Sequence, residues 1–246
     1  MQVAQDALNP SKQYYALLRA YKKGKKDLVN MPYLITMSRQ FGDTNCHHLL
    51  SDYYAYLLSE GNPYTKENIA FIASTLESSS HPLFSMFYPD EKSVDNVMEK
   101  AGYARNVIVR IILKEKVTPF LNAAEGKAGP DWRILYYKIV KDYQGDYADL
   151  TVLEAKMKWY QVYENMLKYA IALNDKMEKY GSDTSSCEDD FKLNNIAFIL
   201  WMNIKDISEL KRITGWMAGV VRRGEKASDS YTQYWPLYIA NGRNWQ

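Results

Sequence analysis

The feature that most constrains this chain is the spacing of its oily residues, which recur every three or four positions and are cut into short runs by glycine and proline. Residues 193 to 221, LNNIAFILWMNIKDISELKRITGWMAGVV, show the pattern most clearly. Leu193, Ala197, Phe198, Leu200 and Trp201 share one stripe, and Leu210, Ile213, Trp216, Met217 and Val220 share another. Between them lies the polar break Asn203-Ile-Lys-Asp206. A period near 3.6 predicts two amphipathic helices, and the short break folds them onto each other. Small residues Ala197, Gly215, Ala218 and Gly219 are expected where the two axes come close.

The same spacing runs through the rest of the chain. Stripes are carried by Tyr14 to Tyr21, Met31 to Phe41, His47 to Leu58, Ile69 to Leu76, Val94 to Met98, Tyr103 to Leu121, Trp132 to Ile139, Leu150 to Tyr160 and Met166 to Met177. A short helix is expected over Pro82 to Tyr88, and a last one over Ser228 to Ile239. Pro119 is expected to kink the Tyr103 helix near its end. Gly42, Gly61, Gly145 and Gly181 read as helix stops, and Thr65 as a cap. The run Val107 to Leu113 has the branched residues of a buried strand, but its length and its charged flanks favour helix.

The prediction is therefore an all-α chain of about twelve helices. With 47% apolar residues, the 246-residue chain has enough material for a packed core. One domain over residues 1–246 is expected, with a possible subdivision near 77–90, where SSSHPLFSMFYPDEKS weakens the pattern. Successive helix pairs of ~35 to 40 residues suit a helical-hairpin array, in which each pair is completed by its neighbours.

Charge and composition narrow the function classes. The 31 basic and 29 acidic residues leave a net charge of +2, which creates no field for nucleic acid. The basic run Lys22 to Lys26 has few aromatic residues interleaved and reads as a helix end with its loop. No apolar run approaches the ~18 residues of a membrane span. The opening MQVAQDALNPSKQYY has neither the basic nor the apolar region of a signal peptide. The two cysteines, Cys46 and Cys187, form no CxxC or zinc pattern, so whether they are free thiols stays open.

Chemistry-bearing clusters are few. Cys46-His47-His48 with Asp52 is the most tempting metal set; His48 and Asp52 lie one turn apart on one face, whereas Cys46 lies on another. The acids Glu188, Asp189 and Asp190 beside Cys187 could bind a cation, but acids also favour a helix start because they oppose its dipole. His81, before Pro82, reads as the start of a short helix. No GxSxG elbow and no glycine-rich phosphate loop is present in the sequence. Trp132, Trp159, Trp201, Trp216 and Trp235 could form a sugar-stacking platform, yet their places on helical stripes predict core packing. No catalytic residue and no cofactor is assigned.

Leu193-Asn194-Asn195-Ile196-Ala197-Phe198, then Asp206, Leu210 and Trp216-Met217-Ala218, resemble the degenerate tetratricopeptide-like region that follows the thioredoxin-like domain in bacterial thioredoxin-related proteins. Pro82-Leu83-Phe84, Gly102 with Val107 to Ile112, Pro130-Asp131-Trp132 and Lys156 to Tyr160 extend the resemblance over roughly residues 45–240. It implies a right-handed array of antiparallel helix hairpins and a periplasmic or cell-envelope setting. It also implies a protein-interaction or scaffolding role beside a thioredoxin-like domain that this chain does not contain. The family's Trp-Cys-x-x-Cys is absent, so no disulfide exchange carries over, and Ile213 and Gly215 stand where alanine is usual. The family would add a helix after the final Asn-Gly-Arg, so Tyr231, Tyr234, Trp235 and Tyr238 are expected to form a partner-binding face.

A non-catalytic module that binds a protein or peptide is therefore the leading expectation. One alternative is a helical-bundle enzyme or metal protein with its site near Cys46, His47 and His48 or near Glu188 to Asp190. The other is a homo-oligomerisation module that buries the C-terminal aromatic face.

Overall fold

The computed structural model describes residues 13–27, 29–59, 62–125, 129–181 and 187–226. Every element among them is helical, as the spacing predicts. The chain divides into two compact units, residues 1–111 and 112–246.

In the first unit the elements are α1 (Tyr14–Lys22), α2 (Met31–Gln40), α3 (Cys46–Ser59), α4 (Lys66–Thr75), a 3-10 turn (Pro82–Met86), α5 (Glu91–Met98) and α6 (Tyr103–Ile112). The weak stretch at 77–90 lies inside this unit as the 3-10 turn and its flanks. Helix α2 packs on α1, α3 and α4. Ile35, Leu49, Ile69, Ile72, Leu83 and Phe87 are fully buried at the centre. Thr65 caps α4 as expected, its hydroxyl accepting from the Asn68 amide at 3.2 Å. The far end of α4 is closed by Arg110, whose guanidinium donates to the carbonyls of Ala73 and Leu76. Gly102 breaks the chain between α5 and α6 at φ +76°, in the left-handed region that glycine enters without strain. Its amide donates to Asp95 at 2.6 Å.

The second unit contains a π turn (Leu113–Val117), α7 (Thr118–Ala124), α8 (Trp132–Val140), α9 (Gly145–Val162), α10 (Met166–Tyr180), α11 (Cys187–Asn203) and α12 (Ile207–Lys226). Where a kink is expected at Pro119, the helical run continues and a π turn stands just before the proline. Proline has no amide to bond backward and its ring crowds the preceding turn, so one wider turn absorbs the misfit. Counting the unbroken helical run from Tyr103 to Ala124 once gives eleven helices among the described residues. The segment expected over Ser228 to Ile239 lies outside them. Gly145, read from sequence as a stop, opens α9 instead; a side chain there would meet the Tyr136 hydroxyl at 3.6 Å.

Helix α9 packs on α8 and α10, and α10 in turn packs on both α11 and α12. The predicted α11–α12 pair is therefore completed by a third helix. Leu193, Ala197, Leu200, Ile213, Met217 and Val220 close on Tyr169, Ala170, Leu173 and Met177 of α10. Each fully buried aliphatic side chain contributes about 1.5–3 kcal/mol, which holds the three helices as one layer. Only Ala197 of the four expected small residues marks a close approach, being fully buried. Gly215 and Ala218 are exposed, and nothing lies within 4 Å of a Cβ placed on Gly215. Two residues beyond Ile213, Gly215 is turned by about 200° and faces away from the layer.

Candidate functional site

An open cleft of about 500 Å³ lies where the start of α8, the end of α9 and the start of α10 meet. Gly129, Pro130 and Trp132 form one wall, and Trp159, Tyr160 and Tyr163 the other; Asn165 and Lys168 close it. The order of its parts comes from a tight helix-to-helix junction. Glu164 takes φ +52°, its amide donates to the Gln161 carbonyl at 3.2 Å, and the Asn165 amide donates to the Tyr160 carbonyl at 2.8 Å. These two bonds make a Schellman ending for α9. Asn165 then starts α10, its side-chain oxygen accepting from the Lys168 amide at 3.1 Å. One residue thus ends one helix and caps the next.

The aromatic rings are fixed against each other. Trp159 and Tyr163, one helical turn apart, have ring centroids 4.2 Å apart at an interplanar angle of 33°. Trp132 meets Tyr160 edge-on at 5.9 Å and donates its indole N–H to the phenol oxygen at 3.2 Å. The Lys168 ammonium stands 5.6 Å from the centre of the Tyr160 ring. Trp132, Trp159 and Tyr160 are half-buried and Tyr163 is 49% exposed. No carboxylate is among the lining residues. The arrangement is suited to stacking and to donating hydrogen bonds.

These rings correct the core reading of the tryptophans. Trp132 and Trp159 line the cleft, and Trp201 is 36% exposed. Trp216 packs on the α10–α12 layer but is not fully buried; Trp235 lies outside the described residues. A stripe position near a helix end is buried only where another element passes over it, and spacing along the chain does not report that.

Trp216 belongs to a polar knot that joins α12 to the same helix α10. Its indole N–H donates to the Asn174 side-chain oxygen at 2.8 Å, and the Asn174 amide donates to the Glu209 carboxylate at 2.7 Å. Asn174 is fully buried. Arg212 joins Glu209 at 2.9 Å, Asp175 at 2.7 Å and Glu178 at 2.6 Å. Bonding to Glu178 foremost, against some cost of burial, raises the guanidinium above its ordinary value.

A smaller cleft of about 170 Å³ in the first unit takes in Arg39, Cys46, His47, Glu77 and His81. Burial pushes the Cys46 thiol up, with the Glu77 carboxylate adding to it, so the thiolate is disfavoured. Cys46 is a free cysteine. His81 does open the short helix: its Nδ1 accepts from the Leu83 amide at 3.1 Å, and Nε2 lies 3.0 Å from the Ser51 hydroxyl. Burial lowers its proton affinity, so it stays neutral near neutral pH. The Asp52 carboxylate accepts from the Tyr21 hydroxyl at 2.7 Å and pairs with Lys26 at 2.8 Å. Burial alone would raise Asp52; Lys26 and Tyr21 outweigh it and hold the carboxyl below its usual range. His48 is its neighbour one turn back, and no group of three or more His, Cys, Asp and Glu residues that could hold a metal ion occurs among the described residues.

Asp190 is buried near the start of α11 and Asp189 is half-buried, both engaged with neighbours. The side chains of Cys187 and Glu188, and the face of Tyr231, Tyr234, Trp235 and Tyr238, lie outside the described residues. Sequence reasoning missed Tyr163, Asn165 and Lys168 as site residues. Their signal was WYQVYENMLK, aromatic residues one turn apart running into an asparagine cap. It missed Asn174 as well, although an asparagine on the stripe of Ala170, Leu173 and Met177 marks a core position that must find partners.

No family model matches this chain, no curated protein is similar to it, and no solved structure matches it.

Proposed function

We propose that the chain is a non-catalytic module that binds a polypeptide, built as a tetratricopeptide-like, right-handed array of helix hairpins and acting as a scaffold beside a thioredoxin-like partner domain. The observation that carries the binding role is the aromatic cleft: rings packed on one another at an open helix junction, with a cation and hydrogen-bond donors at its edge. Rigid aromatic side chains supply contact area at small entropic cost, which is what a peptide-binding surface requires. The packing of α10 on both of the next two helices, like that of α2 on α3 and α4, supports the array reading.

Panning a displayed peptide library on the full chain tests the role. Enriched peptides that lose binding to a Tyr163→Ala variant are expected. A library that yields none, while a thermal-shift screen finds a small molecule that stabilises the protein and needs Trp159, would overturn the role.

A further inference from the structure

We infer that the cleft takes a proline-rich polypeptide segment in the extended polyproline conformation, with an acidic residue of that segment set against Lys168. This rests on the polypeptide-binding role and goes further by naming the ligand chemistry.

The inventory of donors and acceptors carries the inference. The Trp159 indole N–H, the Tyr163 hydroxyl, the Asn165 side-chain amide and the Lys168 ammonium find no acceptor among the described residues. Most acceptors at the same junction are engaged, the Tyr163 phenol oxygen and the Gly129 and Pro130 carbonyls excepted. Asn165 Oδ1 accepts from the Lys168 amide, and the Tyr160 phenol oxygen accepts from Trp132. The carbonyls of Trp159, Tyr160 and Gln161 accept from the amides of Tyr163, Asn165 and Glu164. Among its side chains the cleft therefore offers more protons than places to receive them. A neutral sugar is the poorer complement, because each of its hydroxyls needs an acceptor as well as a donor and few acceptors are open. A cationic ligand, which a ring cage would otherwise favour, is repelled by Lys168, with no lining carboxylate to offset it.

A proline-rich strand is the matching complement. Proline has no amide proton, so such a segment presents carbonyl oxygens and flat apolar rings. Its polyproline form makes no internal hydrogen bonds and keeps those oxygens outward. The rings of Tyr163, Trp159 and Tyr160 give it surfaces to pack on, as aromatic grooves do for such segments in general. Lys168 then favours a carboxylate beside the prolines over a lysine.

The test is fluorescence anisotropy with the full chain and labelled oligoproline peptides flanked by glutamates or by lysines. Glycine–serine peptides with glutamate flanks and an oligouronate are the comparison arms. The glutamate-flanked oligoproline is expected to bind tightest, with a loss of about tenfold for Tyr163→Ala. The lysine-flanked peptide is expected to be roughly fivefold weaker, and Lys168→Glu to invert that order. Salt is expected to erase the charge preference while leaving the Tyr163 dependence. Both substituted side chains are exposed, and an unchanged melting temperature guards against misfolding. Equal binding of the glycine–serine peptide, still dependent on Tyr163, overturns the ligand class and leaves the polypeptide-binding role intact. An oligouronate that binds where no peptide does overturns both. Oligoproline binding that ignores Tyr163→Ala and Trp159→Phe removes the cleft as its site.

Discussion

Helix α10 meets a tryptophan, an asparagine and a cation twice, and the two groups have opposite fates. At its start, Asn165 and Lys168 face Trp159 across an open cleft. Farther along, Asn174 lies fully buried, bonded to Trp216 and Glu209, with Arg212 held by three carboxylates. In the second group the donors named have acceptors, so the group can only hold helices together. In the first, donors are left over. Residue types are alike, although the cation is Lys168 in one and Arg212 in the other; what sets the two groups apart is whether their hydrogen-bonding capacity is already used.

The largest expected effect tests the buried asparagine. Asn174→Ala strands the Trp216 indole, takes one donor from the Glu209 carboxylate, which keeps Arg212, and leaves a gap, so it should cost about 3 kcal/mol in urea unfolding. A loss below ~1 kcal/mol would break the distinction drawn between the two groups. Next come the tryptophans. Trp216→Phe removes a part-buried hydrogen bond and strands the buried Asn174 oxygen, which should cost about 1.5 kcal/mol, whereas Trp159→Phe at the open cleft should stay within about 0.5 kcal/mol. Equal costs would mean that the cleft rings serve packing. Asn165→Ala removes only a helix cap and should cost about 1 kcal/mol by thermal melt, less than its buried counterpart.

The smallest effect carries the comparison to a satisfied pair in the first unit. Burial, then the bond to Asp52, pushes the Tyr21 phenol up to about 12. A phenol whose folded value is raised contributes stability that is whole below the ordinary value of about 10 and is lost as pH climbs through the folded one. Asp52 is shifted the other way: its contribution is present above the ordinary carboxylate value near ~4 and is lost as pH falls below it. Asp52→Asn should flatten the acid limb of stability against pH and bring the Tyr21 absorbance titration part of the way down. An unchanged titration would show that the bond contributes nothing.

Much of the fold was legible because a helix repeats its demands every turn. Leu193, Ala197 and Leu200, and Ile213, Met217 and Val220, are each spaced to meet one neighbouring surface, and all are buried. Phe198, one residue and about 100° off that line, is only half-buried. The third helix of the layer was not legible, because α10 joins α11 and α12 through contacts distant along the chain. The cleft was hidden for the same reason. Whether Trp159 is covered depends on what passes over the end of α9, and no local pattern states that. Tight turn chemistry was readable only where its residue was distinctive: Thr65 announced its cap, whereas Glu164 gave no sign of its left-handed backbone.

That left-handed glutamate fixes the gauge of the opening beside it. Because a lone asparagine finishes one rod and begins the other, the jaws share no linker, and under the proposed role an incoming guest would find little freedom to extinguish. Affinity there should respond to slack as much as to touch. Splicing a pair of glycines after Glu164 would leave every ring in place and still loosen the grip.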